Sequence, residues 1–132
     1  AIKDDEYKLI IVNFANGDMV GHTAIKDAIV LAMEALDAVL GEVVCEAIGA
    51  NVSTIITADH GNVDEINNPE TGNPNTQHSL NPVPCIIIDN NNEWKIINEN
   101  NAGLSNIAPT LLTLMGIEKP KEMTSKTLIE KS

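Results

Sequence analysis

The first apolar run, "YKLIIVNF" (residues 7–14), is almost continuous in β-branched and aliphatic side chains, the pattern of a strand covered on both faces. From residue 23 to about residue 50 the period changes. Ile25, Ile29, Ala32, Leu36, Leu40, Val43 and Ala47 recur at three- and four-residue steps, while Lys26, Asp27, Glu34, Asp37 and Glu46 fall largely off that stripe. This spacing predicts a long amphipathic helix, and Gly49 and Asn51 supply its stop. "VSTIITA" (52–58) predicts a second buried strand, so strand, helix and strand form a βαβ unit with parallel strands. "PCIIID" (84–89) and "EWKIIN" (93–98) flank "NNN" and predict a hairpin, since asparagine tolerates left-handed turn conformations. "SNIAPTLLTLMG" (105–116) predicts a last helix, with Ser105 or Asn106 as cap, Pro109 in the first turn and Gly116 at the stop. Between these elements, "NNPETGNPNTQHSLNP" (67–82) is a polar loop long enough to be functional or disordered.

Composition narrows the partners. The 132 residues carry a net charge of −11, from 19 acidic and 8 basic side chains, and every basic one is lysine. A surface so poor in positive charge excludes nucleic-acid and anionic-membrane binding as expectations. It also excludes a bidentate arginine clamp for phosphate, so any phosphate site needs cations from elsewhere or a bound metal. No apolar run approaches a membrane span, and no export signal is read. Cys45 and Cys85 lack a CxxC partner or basic neighbours and are expected to be inert, buried thiols in a reducing compartment. "AIKDDEYK" reads as the frayed end of a helix continued from a longer chain.

The chemistry gathers in three loops. His22, His60 and His78 are the only histidines, and all lie among Gly, Asn and Pro and off any apolar helix face. Taken singly, each reads as an ordinary surface or capping histidine. Their company changes that reading. Asp18 and His22 follow the first predicted strand, and Asp59 and His60 follow the second. In a parallel sheet those ends share one edge, where ligands bind. Gly17 and Gly21 are expected to let Asp18 and His22 turn back over the strand end, Gly61 to let Asp59 and His60 serve one site, and His78 to arrive from the polar loop. Two carboxylates and three imidazoles suit divalent Mn, Zn, Fe or Co, and five side chains are enough for two ions. The bland alternative makes Asp59 the cap of a short helix, "NVDEIN", and His60 a bystander.

In this order and at these separations, "NFANGDMVGHT", "ITADHGN" and "NPETGNPNTQHSLNPVP" resemble the cofactor-independent phosphoglycerate mutases of the alkaline-phosphatase superfamily. "IAPTLLTLMGIEKPKEMTSKTLI" resembles the C-terminal end of that family, so the likeness runs from about residue 7 onward. The resemblance implies an α/β fold, part of an alkaline-phosphatase-like three-layer sandwich with a mostly parallel sheet and flanking helices. Residues 1–132 would be the C-terminal portion of the metal-binding phosphatase domain. It implies an isomerase of glycolysis and gluconeogenesis that interconverts 3-phosphoglycerate and 2-phosphoglycerate through a phosphoserine, with two Mn ions ahead of Zn, Co or Mg.

Carried over residue by residue, Asp18, His22 and His78 match the ligands of one ion, and Asp59 and His60 match two ligands of the other. The nucleophilic serine, an aspartate sharing its metal, the inserted transferase domain and the substrate clamps are expected outside this chain, which alone is expected to be inactive. Ser53, Ser79, Ser105, Ser125 and Ser132 match none of the nucleophile's surroundings. Gly17 stands where proline is usual and Ala24 where glycine is usual, with local loop effects expected. The implied partners are a small phosphoglycerate and the rest of the same polypeptide, in a cytoplasmic enzyme that is monomeric when complete, with no nucleic acid and no membrane. Another phosphohydrolase or a phosphopentomutase of the superfamily could share the metal loops, although the 67–82 loop argues against it. A non-catalytic domain using the acid–histidine pairs for turns or a structural metal is the third reading.

Overall fold

The computed structural model describes every residue except Asp5, Asn98 and Asn100. In chain order the elements are α1 (Asn16–Gly21), α2 (Lys26–Gly49), β1 (Thr54–Thr57), β2 (Cys85–Ile88), β3 (Trp94–Ile96), a 3₁₀ turn (Leu104–Asn106), α3 (Ile107–Leu114) and β4 (Ile129–Lys131). β1 and β2 form one two-stranded sheet, and β3 and β4 another. The chain divides into two units, residues 1–52 with 56–86, and residues 53–55 with 87–132.

In the first unit α2 follows the predicted stripe. Ile29 and Ala47 are buried, and Ala32, Leu36, Leu40 and Val43 are half-buried between them. Ile25 lies just outside the helix as its N-cap and is exposed. The stop is a Schellman motif. Asn51 takes φ 55°, its N–H donates to the Ile48 carbonyl at 3.1 Å, and the Val52 N–H donates to the Ala47 carbonyl at 2.9 Å. Cys45 lies off the stripe and is exposed, and Cys85 is half-buried; both thiols are free, which corrects the expectation that they are buried.

Three further expectations fail, the two that concern strands for one reason, that pairing depends on partners which local pattern does not reveal. Residues 7–14 belong to no strand among the described residues, and Leu9, Ile10, Ile11 and Val12 are exposed. Without a neighbouring strand an apolar run has no ladder to join, so the expected βαβ unit lacks its first member. Residues 1–4 form a turn, with the Asp4 N–H on the Ala1 carbonyl at 2.9 Å, in place of a helix end. The predicted hairpin is also replaced. Its turn forms, with Asn92 at φ 51° and the Asp89 carboxylate accepting the Glu93 N–H at 2.8 Å. β3 nevertheless pairs with β4 and leaves β2 to β1. Asn98, the end of that predicted strand, lies outside the described residues.

The second unit is held by its own small core. β3 and β4 run antiparallel with Trp94 opposite Lys131, Lys95 opposite Glu130 and Ile96 opposite Ile129. Lys95 pairs with Glu130 at 3.2 Å, and the Lys131 ammonium lies 4.3 Å from the Trp94 ring centre. Pro109 falls in the first turn of α3 as expected, and Gly116, at φ 67°, ends it. Asn106 is the N-cap residue, but its side chain serves elsewhere: Oδ1 accepts the Gly103 N–H and Nδ2 donates to the Lys126 carbonyl, both at 2.9 Å. Thr110 is fully buried. Its hydroxyl donates to the Asn106 carbonyl at 2.7 Å and accepts the Leu128 N–H at 2.9 Å, fastening the segment before β4 to α3.

Candidate metal centre

Every residue of the candidate site lies in the first unit. Asp18 and His22 are presented by helix, which sequence reading missed because two glycines in six residues argue against one. Within α1 and its cap they stand four residues apart on one face, the His22 N–H donates to the Asp18 carbonyl at 3.1 Å, and His22 Nε2 lies 3.2 Å from Asp18 Oδ1. Backbone freedom is not what Gly21 contributes. A Cβ there would collide with Asn62 Oδ1 and come within 2.7 Å of Asn62 Cγ and 3.0 Å of Val63 Cγ1, so glycine is needed for space.

After β1 the chain bends through Asp59 and His60, and no helix forms over "NVDEIN". His60 Nε2 lies 3.6 Å from Asp59 Oδ2 and 3.9 Å from Asp18 Oδ1. The polar loop is then tied back. The Ser79 N–H donates to the Gly61 carbonyl at 2.9 Å, making an antiparallel bridge. The Asp64 carboxylate accepts the Ser79 hydroxyl at 2.7 Å and the Asn81 amide at 2.6 Å. These two donors hold the Asp64 carboxyl below its ordinary value of 3.8 against a smaller opposing effect of burial. A Cβ on Gly61 would strike the Ser79 hydroxyl, so this close approach also demands glycine.

The ties deliver His78 to Asp18. His78 Nε2 lies 3.0 Å from Asp18 Oδ1 and 3.3 Å from His22 Nε2, and its ring stacks on His60 with centroids 3.6 Å apart. His22 Nδ1–H donates to the Thr76 carbonyl at 2.6 Å, and His60 Nδ1–H to the Gly61 carbonyl at 3.3 Å. A carbonyl only accepts, so each bond puts a proton on Nδ1 and turns Nε2 toward the cluster. The structure therefore gathers Asp18, His22, His60 and His78 around a single carboxylate oxygen. Asp59 stands at the rim with its side chain 82% exposed.

Asp18 ionises more readily than usual. The hydrogen bond from the buried Asn62 amide is the largest cause, partial burial opposes it, and His22, His78 and His60 add favourable charge. Asp18, His60 and His78 each offer one ligand atom, all within 4.8 Å of one another. A first-row divalent ion holds such donors at about 2.1 Å, which sets neighbouring donors about 3–4 Å apart. The nitrogen and oxygen donors suit a borderline divalent cation in type, and the Asp18, His22 and His78 atoms, 3.0–3.3 Å apart, lie at such a spacing. Asn62, Asp64 and the Thr76 carbonyl were not singled out from sequence. The "DHGN" context was the available signal, but what an amide or a carbonyl contacts is decided by tertiary structure.

Comparison with known proteins extends the picture. The family model described as Metalloenzyme, the metalloenzyme superfamily, matches residues 1–119. The 2,3-bisphosphoglycerate-independent phosphoglycerate mutase of Clostridium acetobutylicum is 46% identical over 129 residues, covering 98% of this chain and 25% of that protein. That of Bacteroides thetaiotaomicron is 47% identical over 130 residues, with 98% and 25% covered. A crystal structure of Leishmania mexicana phosphoglycerate mutase at low cobalt concentration superposes with a TM-score of 0.92 at 32% identity, covering 99% of this chain and 26% of that one. The chain spans about a quarter of the length of the curated relatives it matches. The partial α/β, alkaline-phosphatase-like fold expected from sequence is the fold this superposition gives.

Proposed function

The chain belongs to the metalloenzyme superfamily, and on that premise we propose that it is the C-terminal part of the phosphatase domain of a 2,3-bisphosphoglycerate-independent phosphoglycerate mutase. The proposed reaction of the whole enzyme is the interconversion of 3-phosphoglycerate and 2-phosphoglycerate through a phosphoserine carried outside this chain. The observation supporting this is the convergence of "DMVGH", "ADHGN" and "QHSLNPVP" on one carboxylate oxygen, in a chain 46% identical to such a mutase.

In this reading Asp18, His22 and His78 hold one Mn ion, and Asp59 and His60 contribute to a second. Bound divalent ions would neutralise phosphoryl oxygens and favour the ionised nucleophile, charge that an arginine-free chain cannot otherwise supply. The chain's own contribution is orientation. Thr76 and Gly61 carbonyls fix the tautomers of His22 and His60, and Asp18 stays ionised and central. The exposed apolar residues 9–12 are assigned to contact with the rest of the polypeptide. The enzyme is proposed to be cytoplasmic and monomeric; among the described residues no helix is long and apolar enough to cross a membrane.

The test follows 3-phosphoglycerate by phosphorus NMR with Mn present. The full-length protein should form 2-phosphoglycerate, its His78→Ala variant should lose at least about 100-fold in kcat together with Mn affinity, and the isolated chain should be inactive. Formation of 2-phosphoglycerate by the isolated chain, or none by the full-length protein, overturns the reading.

A further inference from the structure

One buried amide outside the five proposed ligands bears directly on them. Asn62 is 7% exposed, and its Nδ2 donates to Asp18 Oδ1 at 2.9 Å, with a longer contact of 3.5 Å to the Asp18 carbonyl. Asp18 Oδ1 is the atom that faces Nε2 of His78 at 3.0 Å, of His22 at 3.2 Å and of His60 at 3.9 Å. A carboxylate oxygen has two lone-pair directions. The amide occupies one, which leaves the other aimed at the imidazoles. The seat of the amide is made by a missing side chain, because a Cβ on Gly21 would occupy the place of Asn62 Oδ1. Gly21 is itself buried, one residue before His22. The loop that brings His60 thus also brings, two residues later, the group that aims Asp18.

We propose that Asn62 is a positioning residue for the metal centre, fixing the orientation of the Asp18 carboxylate through a seat that Gly21 keeps open. The inference rests on the reading of the cluster as a metal site. Its rival is that Asn62 merely fills space between α1 and the loop. The two differ for Asn62→Leu, which keeps the branched heavy-atom skeleton and removes the donor.

The experiment measures Mn affinity of the full-length protein by calorimetry and records the visible absorption of its Co(II) form, which reports ligand geometry without catalysis. Asn62→Leu should weaken Mn binding about 10- to 100-fold and alter the Co(II) spectrum. Gly21→Ala should do the same by displacing the amide. The double variant should bind no more weakly than the worse single one, because both act through one hydrogen bond. Circular dichroism of the metal-free proteins separates unfolding from lost binding. Should Asn62→Leu not fold, Asn62→Ala carries the same expectation. Affinity within twofold of the parent for either single variant, or a double loss equal to the product of the two, overturns the inference alone. Absence of Mn binding by the parent overturns both the inference and the metal reading beneath it.

Discussion

Asp64 shows how one side chain outside the cluster sets the position of another within it. Its carboxylate accepts from Ser79, next to His78, and from Asn81, so the loop carrying His78 is held by charge-assisted bonds. Because its folded pKa lies below 3.8, Asp64 contributes stability above about pH 4. That contribution is lost as pH falls through the folded value. Asp64→Asn should lower stability at pH 7 by roughly 1 kcal/mol, a figure discounted for screening at an exposed group. The gap between parent and variant in urea midpoints should close as pH falls below about 3.8; a gap independent of pH would count against the assignment. At this scale the histidines were legible, since all three sit in polar loops and His22 and His60 lie close to an acid. Asn62 and Asp64 were not, because an amide and one acid among nineteen acquire meaning only from what lies opposite.

At the scale of elements, helices were legible where stripes and stops coincide, as in α2 and α3; β1, β2 and β3 were legible in existence but not in pairing, while residues 7–14 form no strand and β4 was not read. β4 is three residues long and finds β3 far along the chain, a partnership that no local period encodes. The α1–α2 turn carries a cost that sequence did hint at. Ala24 takes φ 49°, a left-handed conformation costing an L-residue about 1–2 kcal/mol, at a position where the resembled family usually has glycine. The turn holds regardless, with Thr23 Oγ1 donating to the Val20 carbonyl and accepting the Ile25 N–H. Ala24→Gly should therefore stabilise the protein by up to about 1 kcal/mol, the relief of strain exceeding the entropy glycine adds to the unfolded chain. A lower thermal midpoint would contradict the strain assignment.

For the molecule as a whole, each unit has a sparse core: Ile29 and Ala47 in one, Pro109, Leu128 and Ile129 in the other are the buried apolar side chains among the described residues. Against these stand exposed Leu9, Ile10, Ile11 and Val12, with Val30, Leu31, Val39 and Ile48 on α2. A contiguous apolar run in water favours association, which the net charge of −11 opposes only through long-range repulsion screened by salt. The isolated chain should self-associate in sedimentation experiments, more so at high salt. Ile11→Lys, at a site 80% exposed, should reduce that association without changing the circular dichroism. Equal association of parent and variant would show that these residues are not the adhesive surface.

The polar loop is closed twice, by the bridge between Gly61 and Ser79 and by that between Asn67 and Pro74. Its far end, residues 69–72, is further gathered by Asn68, whose side chain accepts the Glu70 and Thr71 N–H groups. A protease cut or a grafted tag at that tip lies beyond the second closure, and the inner one still anchors His78. The loop therefore offers a handle for labelling or immobilising the protein that leaves the chemistry at its base undisturbed.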